Sequence, residues 1–367
     1  MSPSIRFPEF TGEWEKCKIE DITDAVSSGK SKNHFSNGEY NLYGSTGIIG
    51  RTDKALYDGK LVLVARVGAN AGFLQIINEP CGITDNTLIL KPKGIDAFYL
   101  YYFLQHFNLN RLIFGSGQPL ITGGMLKKVK VSLGTISEQS KIVKFLSLLD
   151  ERIAVQSRLI DRLQSLIKGI NRTIFTGSGL EYSLCDVCEI RSGYSGNQLQ
   201  GGKGLGVSRI ETISAHNINL ERIGYVAPFD ASENYRLQVG DILFSNINSV
   251  EYIGNTAFID KDYNLYHGMN LLRLIPFRNV VVPFYLYILL NTNRMLKHFK
   301  TICNKAVSQA SINQKELGKT IVMLPSLEKQ KQVCNIYQAM YSKLKTEKDV
   351  LSFYQEQKRY LLRHMFI

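Results

Sequence analysis

Two stretches of the chain carry apolar residues at alternating steps of four and three, which is the spacing of a heptad seam on a long helix. The first seam consists of Ile142, Leu146, Leu149, Ile153, Ile160, Leu163, Ile167, Ile170 and Ile174. The second consists of Val333, Tyr337, Met340, Leu344, Leu351, Tyr354, Leu361 and Met365. Polar Gln156 interrupts the first seam, and Glu347 and Lys358 interrupt the second. The pattern predicts two long amphipathic helices, and the members of both seams are the predicted helix-pair interface.

The second seam repeats the first at a constant offset of 191 positions, and the offset also relates Gln156 to Glu347. The same offset continues upstream, where Gln118 corresponds to Gln309 and "VKVSLGTIS" aligns with "TIVMLPSLE". Further upstream the offset drifts, as insertions would cause, and "FYLYYFL" corresponds to "FYLYILL". The chain is therefore predicted to be a tandem duplication of one unit, each copy ending in a long helix.

Two apolar stripes of about ten turns each need a partner in water, and the simplest partner of each helix is the other one. If the copies are related by a pseudo-twofold axis, the helices run antiparallel and form a rod of roughly 57 Å, at about 1.5 Å per residue. The globular parts are then expected at opposite ends of that rod. Gln156 and Glu347 are candidates for fixing the helix register, with a solvent-facing slot as the alternative.

The globular part of each copy contains short apolar runs that follow glycine turns, such as "GKLVLVARVG" and "GDILFSN", and these predict buried strands. "AFYLYYFLQHF" and "PFYLYILLNTNRMLKHF" have the length and apolar content of helices. The predicted fold class is α+β, with two pseudo-repeated α/β domains and an antiparallel coiled coil. The predicted limits are 1–135 and 179–324 for the domains, and 136–178 and 325–367 for the helices.

The charge of the chain points to a polyanionic partner, because 44 Lys and Arg stand against 32 Asp and Glu, a formal net charge of +12. Asp and Glu are absent from 97–137 and again from 263–315, two equivalent stretches that hold many of the basic residues. Local positive fields at matching places fit contact with phosphates. The alternative is that these stretches are mostly core helix, where acidic residues are scarce in any protein.

Catalytic and metal-binding motifs are not apparent. The six histidines form no HxxxH or HExxH pair, and Cys185 and Cys188 form one CxxC with no second pair, so buried strand residues are favoured over a zinc site. "GNQLQGGKG" lacks the spacing of a phosphate loop. The first residues show no signal peptide, and the most apolar stretch, 280–290, is too short to span a bilayer. A cytoplasmic protein without its own cofactor or metal is therefore expected.

With "GTISEQSKIVKFLSLLDERI" and the phrases "YNLYGSTGIIG", "GKLVLVARVG" and "GDILFSN", the chain resembles the specificity subunit of Type I DNA restriction-modification systems. The resemblance covers essentially the whole chain. The second helix departs from the first, because "LEKQKQVCNIYQAMYSKL" lacks the "LD" pair and has Tyr337 and Met340 in place of leucines.

The resemblance implies that the chain performs no chemistry itself. Each domain would be a target recognition domain for one half of a bipartite site in double-stranded DNA, and the helix pair would set the gap between the halves. Two modification (methyltransferase) subunits would dock along the helices and use S-adenosylmethionine to methylate adenine N6 after base flipping. The resemblance also allows a restriction subunit that uses ATP and Mg²⁺.

The residues predicted to contact DNA are polar side chains in turn-rich loops and basic residues of the acid-free stretches. In the first copy they are Lys30, Lys32, Asn33, His34, Tyr43, Ser45, Arg66, Asn70, Gln118, Lys127 and Lys128. In the second copy they are Arg191, Tyr194, Lys203, Arg209, Asn217, Asn246, Asn248, Lys305 and Gln309. Arginine favours guanine, and asparagine or glutamine favours adenine, in the major groove.

Two alternatives remain open from the residues alone. One is the specificity subunit of a related system in which one partner chain carries both cleavage and methylation. The other is a coiled-coil adaptor whose two domains bind proteins rather than DNA, which would lack salt-dependent DNA affinity. A stand-alone enzyme is disfavoured by the absence of a recognisable nucleophile and base.

Overall fold

The structure is a computed structural model that describes residues 3–32, 37–113, 118–174, 179–199, 202–214, 216–305 and 309–367. It divides into two compact units: unit 1 comprises Met1–Leu159 and Glu347–Ile367, and unit 2 comprises Ile160–Thr346. Both division points fall inside a long helix. The domain limits given above remain sequence predictions, because compactness divides the chain by a different criterion.

Unit 1 is built on an antiparallel sheet with helices on one face. Its strands are β1 (Glu15–Lys18), β2 (Thr23–Ser28), β3 (Tyr40–Gly44), β4 (Gly47–Thr52), β5 (Lys60–Ala65), β6 (Leu74–Asn78), β7 (Cys81–Ile83), β8 (Thr87–Pro92) and β9 (Lys130–Leu133). Its helices are α1 (Ala97–Phe107), α2 (Gly123–Lys127), the first part of α3 (Ile136–Ile174) and the last part of α8 (Leu327–Met365), with 3-10 turns at Ile19–Ile22 and Leu109–Leu112. The strand orders are β2-β8-β5-β6, β4-β3-β7 and β1-β9.

The core of unit 1 lies between this sheet and α1. Strand β5 is an apolar run with Val62 paired to Leu90, and both side chains are fully buried. Helix α1 begins where the Asp96 carboxylate accepts hydrogen bonds from the backbone N–H groups of Phe98 and Tyr99, and it ends at Asn108 in the left-handed conformation. This cap fixes the helix start, and Tyr99 and Phe103 consequently face the sheet.

Unit 2 repeats this arrangement with different loops. Its strands are β10 (Leu180–Ser183), β11 (Cys188–Ser192), β12 (Leu205–Val207), β13 (Gly224–Val226), β14 (Ile242–Phe244), β15 (Ile247–Asn248), β16 (Thr256–Phe258), β17 (Leu272–Pro276), β18 (Asn304–Lys305), β19 (Ala310–Ser311) and β20 (Ile321–Leu324). Its helices are the last part of α3, α4 (Leu184–Val187), α5 (Pro283–Leu290), α6 (Asn293–Ile302), α7 (Gln314–Gly318) and the first part of α8, with 3-10 turns at Ile210–Ile213, Leu220–Arg222 and Ser232–Tyr235.

The predicted duplication is confirmed by the sheet order and register. The four-stranded sheet of unit 2 has the order β11-β17-β14-β16, which corresponds strand for strand to β2-β8-β5-β6. Val62 pairs with Leu90 in unit 1, and the equivalent Ile242 pairs with Leu274 in unit 2. Strands β10 and β20 pair antiparallel as β1 and β9 do. Each unit is thus the α+β domain that the sequence predicts.

One predicted helix is two helices in the structure. The segment "PFYLYILLNTNRMLKHF" forms α5 and α6, because the chain leaves α5 at Asn291 and Thr292 then caps α6 by accepting a hydrogen bond from the Met295 N–H at 3.4 Å. Thr292 is itself buried, with its hydroxyl donated to the Leu289 carbonyl. A local side-chain cap therefore overrides the continuous apolar pattern at this point.

The CxxC segment differs from its predicted form at one position. Cys188 is buried at the start of β11, as expected, but Cys185 is exposed because it lies in the short helix α4 rather than on a strand. The capping box of Ser183 and Asp186 closes that helical turn. Within the described residues, no cluster of His, Cys, Asp and Glu is arranged to hold a metal ion.

The two long helices are each 39 residues, and within unit 1 they run antiparallel. Asp150 of α3 is 2.6 Å from the ammonium of Lys358 of α8. Farther along α3, Gln156 donates to the backbone carbonyl of Glu347 at 2.9 Å and to its carboxylate. As residue numbers increase along α3, the numbers of the residues that they contact on α8 decrease. The predicted antiparallel pairing is therefore confirmed in this unit.

The predicted seam residues face inward. Ile142, Leu146, Leu149, Ile160, Ile167, Val333, Tyr337, Leu344 and Leu361 are buried, and Ile153, Leu163, Met340, Leu351 and Tyr354 are half-buried. In unit 1, Ile142, Leu146 and Leu149 join a single core with Leu361. In unit 2, Val333 and Tyr337 join the domain core. In the described part of the chain, no helix combines the length and the apolar character that a membrane span requires.

Candidate nucleic-acid interface

Four of the predicted residues of unit 1 lie at one edge of its sheet, where β3 and β5 end. The backbone N–H of Arg66 donates to the Asn86 carbonyl at 2.9 Å, and the Ser45 hydroxyl donates to the same carbonyl at 3.3 Å. The Ile121 N–H donates to the Arg66 carbonyl at 2.8 Å, which places exposed Gln118 beside this edge. We call Ser45, Arg66, Asn70 and Gln118 the unit 1 edge.

Arg66 supplies the positive charge of the unit 1 edge. Its side chain is half-buried, and its Nε atom is buried without a hydrogen-bond partner among the described residues. Buried polar atoms are nearly always paired, so an incompletely paired guanidinium at a loop edge is suited to an anionic or base ligand. Asn70 is exposed in the following turn, where its carbonyl accepts from the Phe73 N–H at 3.0 Å.

The Tyr43 hydroxyl is hydrogen-bonded within unit 1. It donates to the Glu79 carboxylate at 2.5 Å, and Asn41 donates to the same oxygen at 2.9 Å. Burial, followed by the contact with Glu79, raises the pKa of the Tyr43 hydroxyl. The two hydrogen bonds from Asn41 and Tyr43 lower the pKa of Glu79. Tyr43 therefore anchors the β3 hairpin to the turn before β7.

Lys30 and Lys32 lie on a separate groove of unit 1. Both are exposed, and together with Lys54 they line a depression of about 410 Å³ that also includes Asp53 and Leu56. Three ammonium groups around one carboxylate leave a local positive field, which suits a phosphate. The predicted residues Asn33 and His34 lie outside the described residues.

Lys127 and Lys128 are exposed at the end of α2, a helix whose start is capped by the Thr122 hydroxyl accepting from the Met125 N–H at 3.2 Å. Helix α2 directly follows the loop that carries Gln118. In the equivalent acid-free stretch of unit 2, Arg273 is instead buried in an ion pair with Asp241 at 2.6 Å. That arginine therefore adds nothing to the exposed positive surface.

Unit 2 forms an equivalent edge from Asn246, Asn248, Lys305 and Gln309, which we call the unit 2 edge. The Ile312 N–H donates to the Asn246 carbonyl at 2.9 Å, in the same way that Ile121 donates to Arg66. Strand β19 pairs with β15 and β18, which sets Asn248 and Lys305 opposite Ala310. Lys305 and Gln309 are exposed.

The two asparagines of the unit 2 edge are engaged with the protein. The Asn246 amide donates to the Ile312 carbonyl at 3.3 Å, and its Oδ1 atom is buried without a partner among the described residues. The Asn248 amide donates to the Ser245 hydroxyl at 3.1 Å. In this structure both side chains therefore support the loop, and Lys305 and Gln309 are the residues of the edge that face solvent.

Arg191 and Tyr194 line a polar cleft of about 760 Å³ in unit 2. Both guanidinium contacts of Arg191 are to Glu189, at 2.7 and 2.9 Å, and they raise the pKa of Arg191. Tyr194 stacks on Phe229 with a centroid distance of 3.6 Å and an interplanar angle of 2°. Strands β11 and β14 both run antiparallel to β17, so they point in the same direction and end at the same edge of the sheet. Arg191 and Tyr194 lie at the end of β11 and therefore on the same edge as the end of β14.

The remaining predicted residues of unit 2 are exposed but are not joined to the unit 2 edge by any contact in the described part of the chain. Arg209 is 3.8 Å from Glu211, and Lys203 lies beyond the end of the undescribed segment 200–201. Asn217 lines an aromatic pocket of about 540 Å³ with Tyr287 and Tyr341.

Sequence reasoning missed three contributors to these surfaces. The Asn86 carbonyl organises the unit 1 edge, and the only sequence signal is its place in the turn "ITDNT". Phe229 and Arg273 line the cleft but come from segments far from Arg191 in the chain, so no local pattern marks them. Tertiary contacts of this kind carry no periodicity.

Comparisons with known proteins agree with these features. A 19% identical solved structure, a Type I restriction-modification S subunit from M. genitalium, covers 100% of this chain and 99% of its own with a TM-score of 0.67. A second, from work on complex assembly and conformational transition of the type I R-M system, is 15% identical over 96% of this chain and 97% of its own, with a TM-score of 0.62. Both show the same fold.

Two sequence relatives come from Methanocaldococcus jannaschii. The chain assigned as the specificity subunit of type I restriction enzyme MjaX is 38% identical over 187 residues, which is 50% of this chain and 44% of that relative. The MjaVIII specificity subunit is 26% identical over 81% of this chain and 74% of its own length. The pattern of the Type I restriction modification DNA specificity domain matches residues 11–165 and 180–352. The chain belongs to this family of DNA specificity proteins.

Proposed function

We propose that this chain is the sequence-recognition subunit of a Type I restriction-modification complex and performs no catalysis itself. Each unit binds one half of a bipartite site in double-stranded DNA through its edge. The observation that carries the proposal is that the same edge is built twice, by the Ile121–Arg66 and Ile312–Asn246 hydrogen bonds, with different side chains displayed on it. A common frame with different polar groups is what recognition of two different half-sites requires.

The long helices are proposed to set the gap between the half-sites and to bind two modification subunits. A second heptad stripe on the outer side of α3 supports the docking role. In unit 1 it consists of Phe145, Leu148, Val155 and Leu159, which are 37–52% exposed. An exposed apolar stripe at heptad spacing is suited to helices of a partner. In this proposal the partners that bind the helices are modification subunits, and a restriction subunit binds farther from the helices than they do.

The chemistry of the proposed complex resides on the partners. S-adenosylmethionine binds the modification subunits, and ATP and Mg²⁺ serve the restriction subunit. This chain contributes DNA affinity, half-site choice and spacing in the cytoplasm, where the substrate DNA is found.

The test is methylome mapping of a host that expresses the modification partner with and without this chain. The expected result is N6-methyladenine at a bipartite motif only when both are present. A titration of the purified complex against duplex DNA at several salt concentrations adds a physical check, because phosphate contacts give a log–log slope of about −0.9 for each neutralised phosphate. Methylation that is independent of the chain, or DNA affinity without salt dependence, contradicts the proposal.

A further inference from the structure

A short main-chain ribbon holds one glutamine in the same place in each unit. In unit 1 the ribbon joins 66–68 to 119–121, with the Gly68 N–H donating to the Pro119 carbonyl at 3.0 Å. In unit 2 it joins 246–248 to 310–312, with Asn248 opposite Ala310. Gln118 and Gln309 immediately precede the second segment of each ribbon, so the two glutamines occupy equivalent positions.

The rest of the ribbon differs between the copies. Arg66 corresponds to Asn246, Gly68 to Asn248 and Leu120 to Ser311. Ile121 and Ile312 agree, but both are fully buried and packing alone explains their identity. Gln118 and Gln309 are exposed, so no packing constraint accounts for the same residue at both places. Shared chemistry at an exposed site of two otherwise different edges indicates a shared ligand.

The amide of Gln118 lies over the backbone of the ribbon. Its Nε2 atom is 3.9 Å from the position that a Cβ atom would take on Gly68, a glycine with φ of +81°. The side chain is therefore placed beside the Arg66 loop of the unit 1 edge. A glutamine amide presents a donor and an acceptor side by side, which matches N7 and N6 of adenine in the major groove.

Resting on the proposed function, we propose that Gln118 and Gln309 contact the same base, an adenine, at the same distance from the methylated adenine in the two half-sites. The differing residues around them then recognise the bases in which the half-sites differ. The two half-sites thus have one base in common because the two edges have one side chain in common. Gln118 and Gln309 are specificity-determining residues in this proposal.

The test compares Gln118→Ala and Gln309→Ala with the parent chain, each expressed with the modification partner in the same host, by long-read mapping of N6-methyladenine. Each variant is expected to relax one base position, with roughly a tenfold to hundredfold loss of preference for adenine, the size of one bidentate base contact. The relaxed position lies in one half-site for Gln118→Ala and in the other for Gln309→Ala. Both positions are at equal distance from the methylated adenine.

Gln118→Glu separates base contact from a structural role, because it removes the donor but keeps the shape. A base-contacting residue then shifts its preference away from adenine and toward cytosine, whose N4 amino group donates to a carboxylate. Gln238→Ala is the matched control, since Gln238 is an exposed glutamine in the turn before β14, at the opposite end of that strand from the unit 2 edge. Its motif is expected to be unchanged.

Relaxation at unequal distances from the methylated adenine, an unchanged motif, or a uniform loss of methylation at all sites each overturns the proposal. The result with the parent chain distinguishes a failure of the proposed function from a failure of the glutamine assignment. If the parent gives no bipartite methylation, the proposed function fails. If the parent gives a bipartite motif and the glutamine variants do not relax matching positions, the glutamine assignment alone fails.

Discussion

Gln156 of α3 and Glu347 of α8 stand 191 positions apart in the sequence, at equivalent places in the two copies, and are hydrogen-bonded to each other. Both side chains are buried, and the Gln156 amide donates to the backbone carbonyl and the carboxylate of Glu347. The polar interruption of one seam therefore meets the polar interruption of the other. This supports the register-fixing reading of the two residues over a solvent-facing slot.

Replacement of Gln156 by Leu is expected to lower the free energy of unfolding by about 1–3 kcal/mol, because the buried Glu347 carboxylate loses a donor. The double variant Gln156→Leu with Glu347→Leu is expected to regain stability, since an apolar pair carries no desolvation cost. Urea unfolding of both variants measures the effect. A double variant less stable than the single one contradicts this account.

Insertion of one heptad into both α3 and α8 is expected to lengthen the unspecified gap and to leave the half-sites unchanged. A heptad adds about 10.5 Å of helix, which corresponds to about three base pairs. Methylation mapping reports the gap and the half-sites in one measurement. Insertion into α3 alone serves as the control, because it breaks the seam register and is expected to abolish methylation. Altered half-sites with the original gap refute the spacer role.

Lys127→Ala is expected to weaken DNA binding evenly across sequences. Lys127 is one of the residues predicted from sequence to contact DNA, and an ammonium does so through phosphate, so its loss reduces the slope of log affinity against log salt by about 0.9 and leaves the motif unchanged. Lys331→Ala on α8 removes the same charge from an exposed position elsewhere in the chain. Binding titrations at three salt concentrations distinguish the two variants, and equal slopes argue against a phosphate contact at Lys127.

Asp241→Asn is expected to cost about 3–5 kcal/mol, because it leaves the charge of buried Arg273 without its carboxylate. The chain supplies its own control. Arg273 pairs with Leu243 in unit 2, and Ile89 pairs with the equivalent Leu63 in unit 1, so Ile89 is the equivalent of Arg273. Leu61 precedes Leu63 by two residues, as Asp241 precedes Leu243, so unit 1 has the apolar residues Leu61 and Ile89 where unit 2 has the ion pair.

The double variant Asp241→Leu with Arg273→Ile copies that apolar pair into unit 2. It is expected to be close to the parent in stability, or above it, since a buried ion pair replaced by packed apolar residues is often neutral or stabilising. Thermal and urea unfolding of the two variants give the comparison. A double variant as unstable as Asp241→Asn shows that the ion pair is needed for the fold of unit 2.

Acidification is expected to destabilise the protein through His267. Burial lowers the pKa of His267 to about 4, with Arg273 adding to the effect, and its Nε2–H group faces the Leu271 carbonyl at 3.0 Å. The unfolded chain binds a proton near pH 6.5 while the folded chain does not, so stability present above that pH is lost as the pH falls toward 4.

The contribution amounts to about 2 kcal/mol between pH 7 and pH 5, at 1.36 kcal/mol per pH unit below 6.5. Urea unfolding of the parent and of His267→Gln at the two pH values measures it. The glutamine variant is expected to lose less stability on acidification, because its amide does not titrate. Equal losses in both proteins exclude His267 as the source.

The repeated parts of the fold are predictable from sequence, because the heptad seams and the 191-residue offset are periodic signals that survive without any tertiary information. The α5–α6 break is not, because it depends on one buried threonine cap. The same division applies to the site. The loops carrying Arg66 and Gln118 follow from strand ends and turn residues, but the inward rotation of Asn246 depends on the Ile312 carbonyl, 66 residues away in the chain.

The ribbons of the two edges are held by peptide groups, since Ile121 and Ile312 donate their N–H groups to the carbonyls of Arg66 and Asn246. A peptide group is present whatever amino acid occupies the position. Mutation can therefore change the side chains of one edge without disturbing the main-chain ribbon that holds them or the other edge. The architecture lets a lineage acquire new DNA specificities one substitution at a time. It also explains how two copies of one ancestral unit can come to bind different half-site sequences.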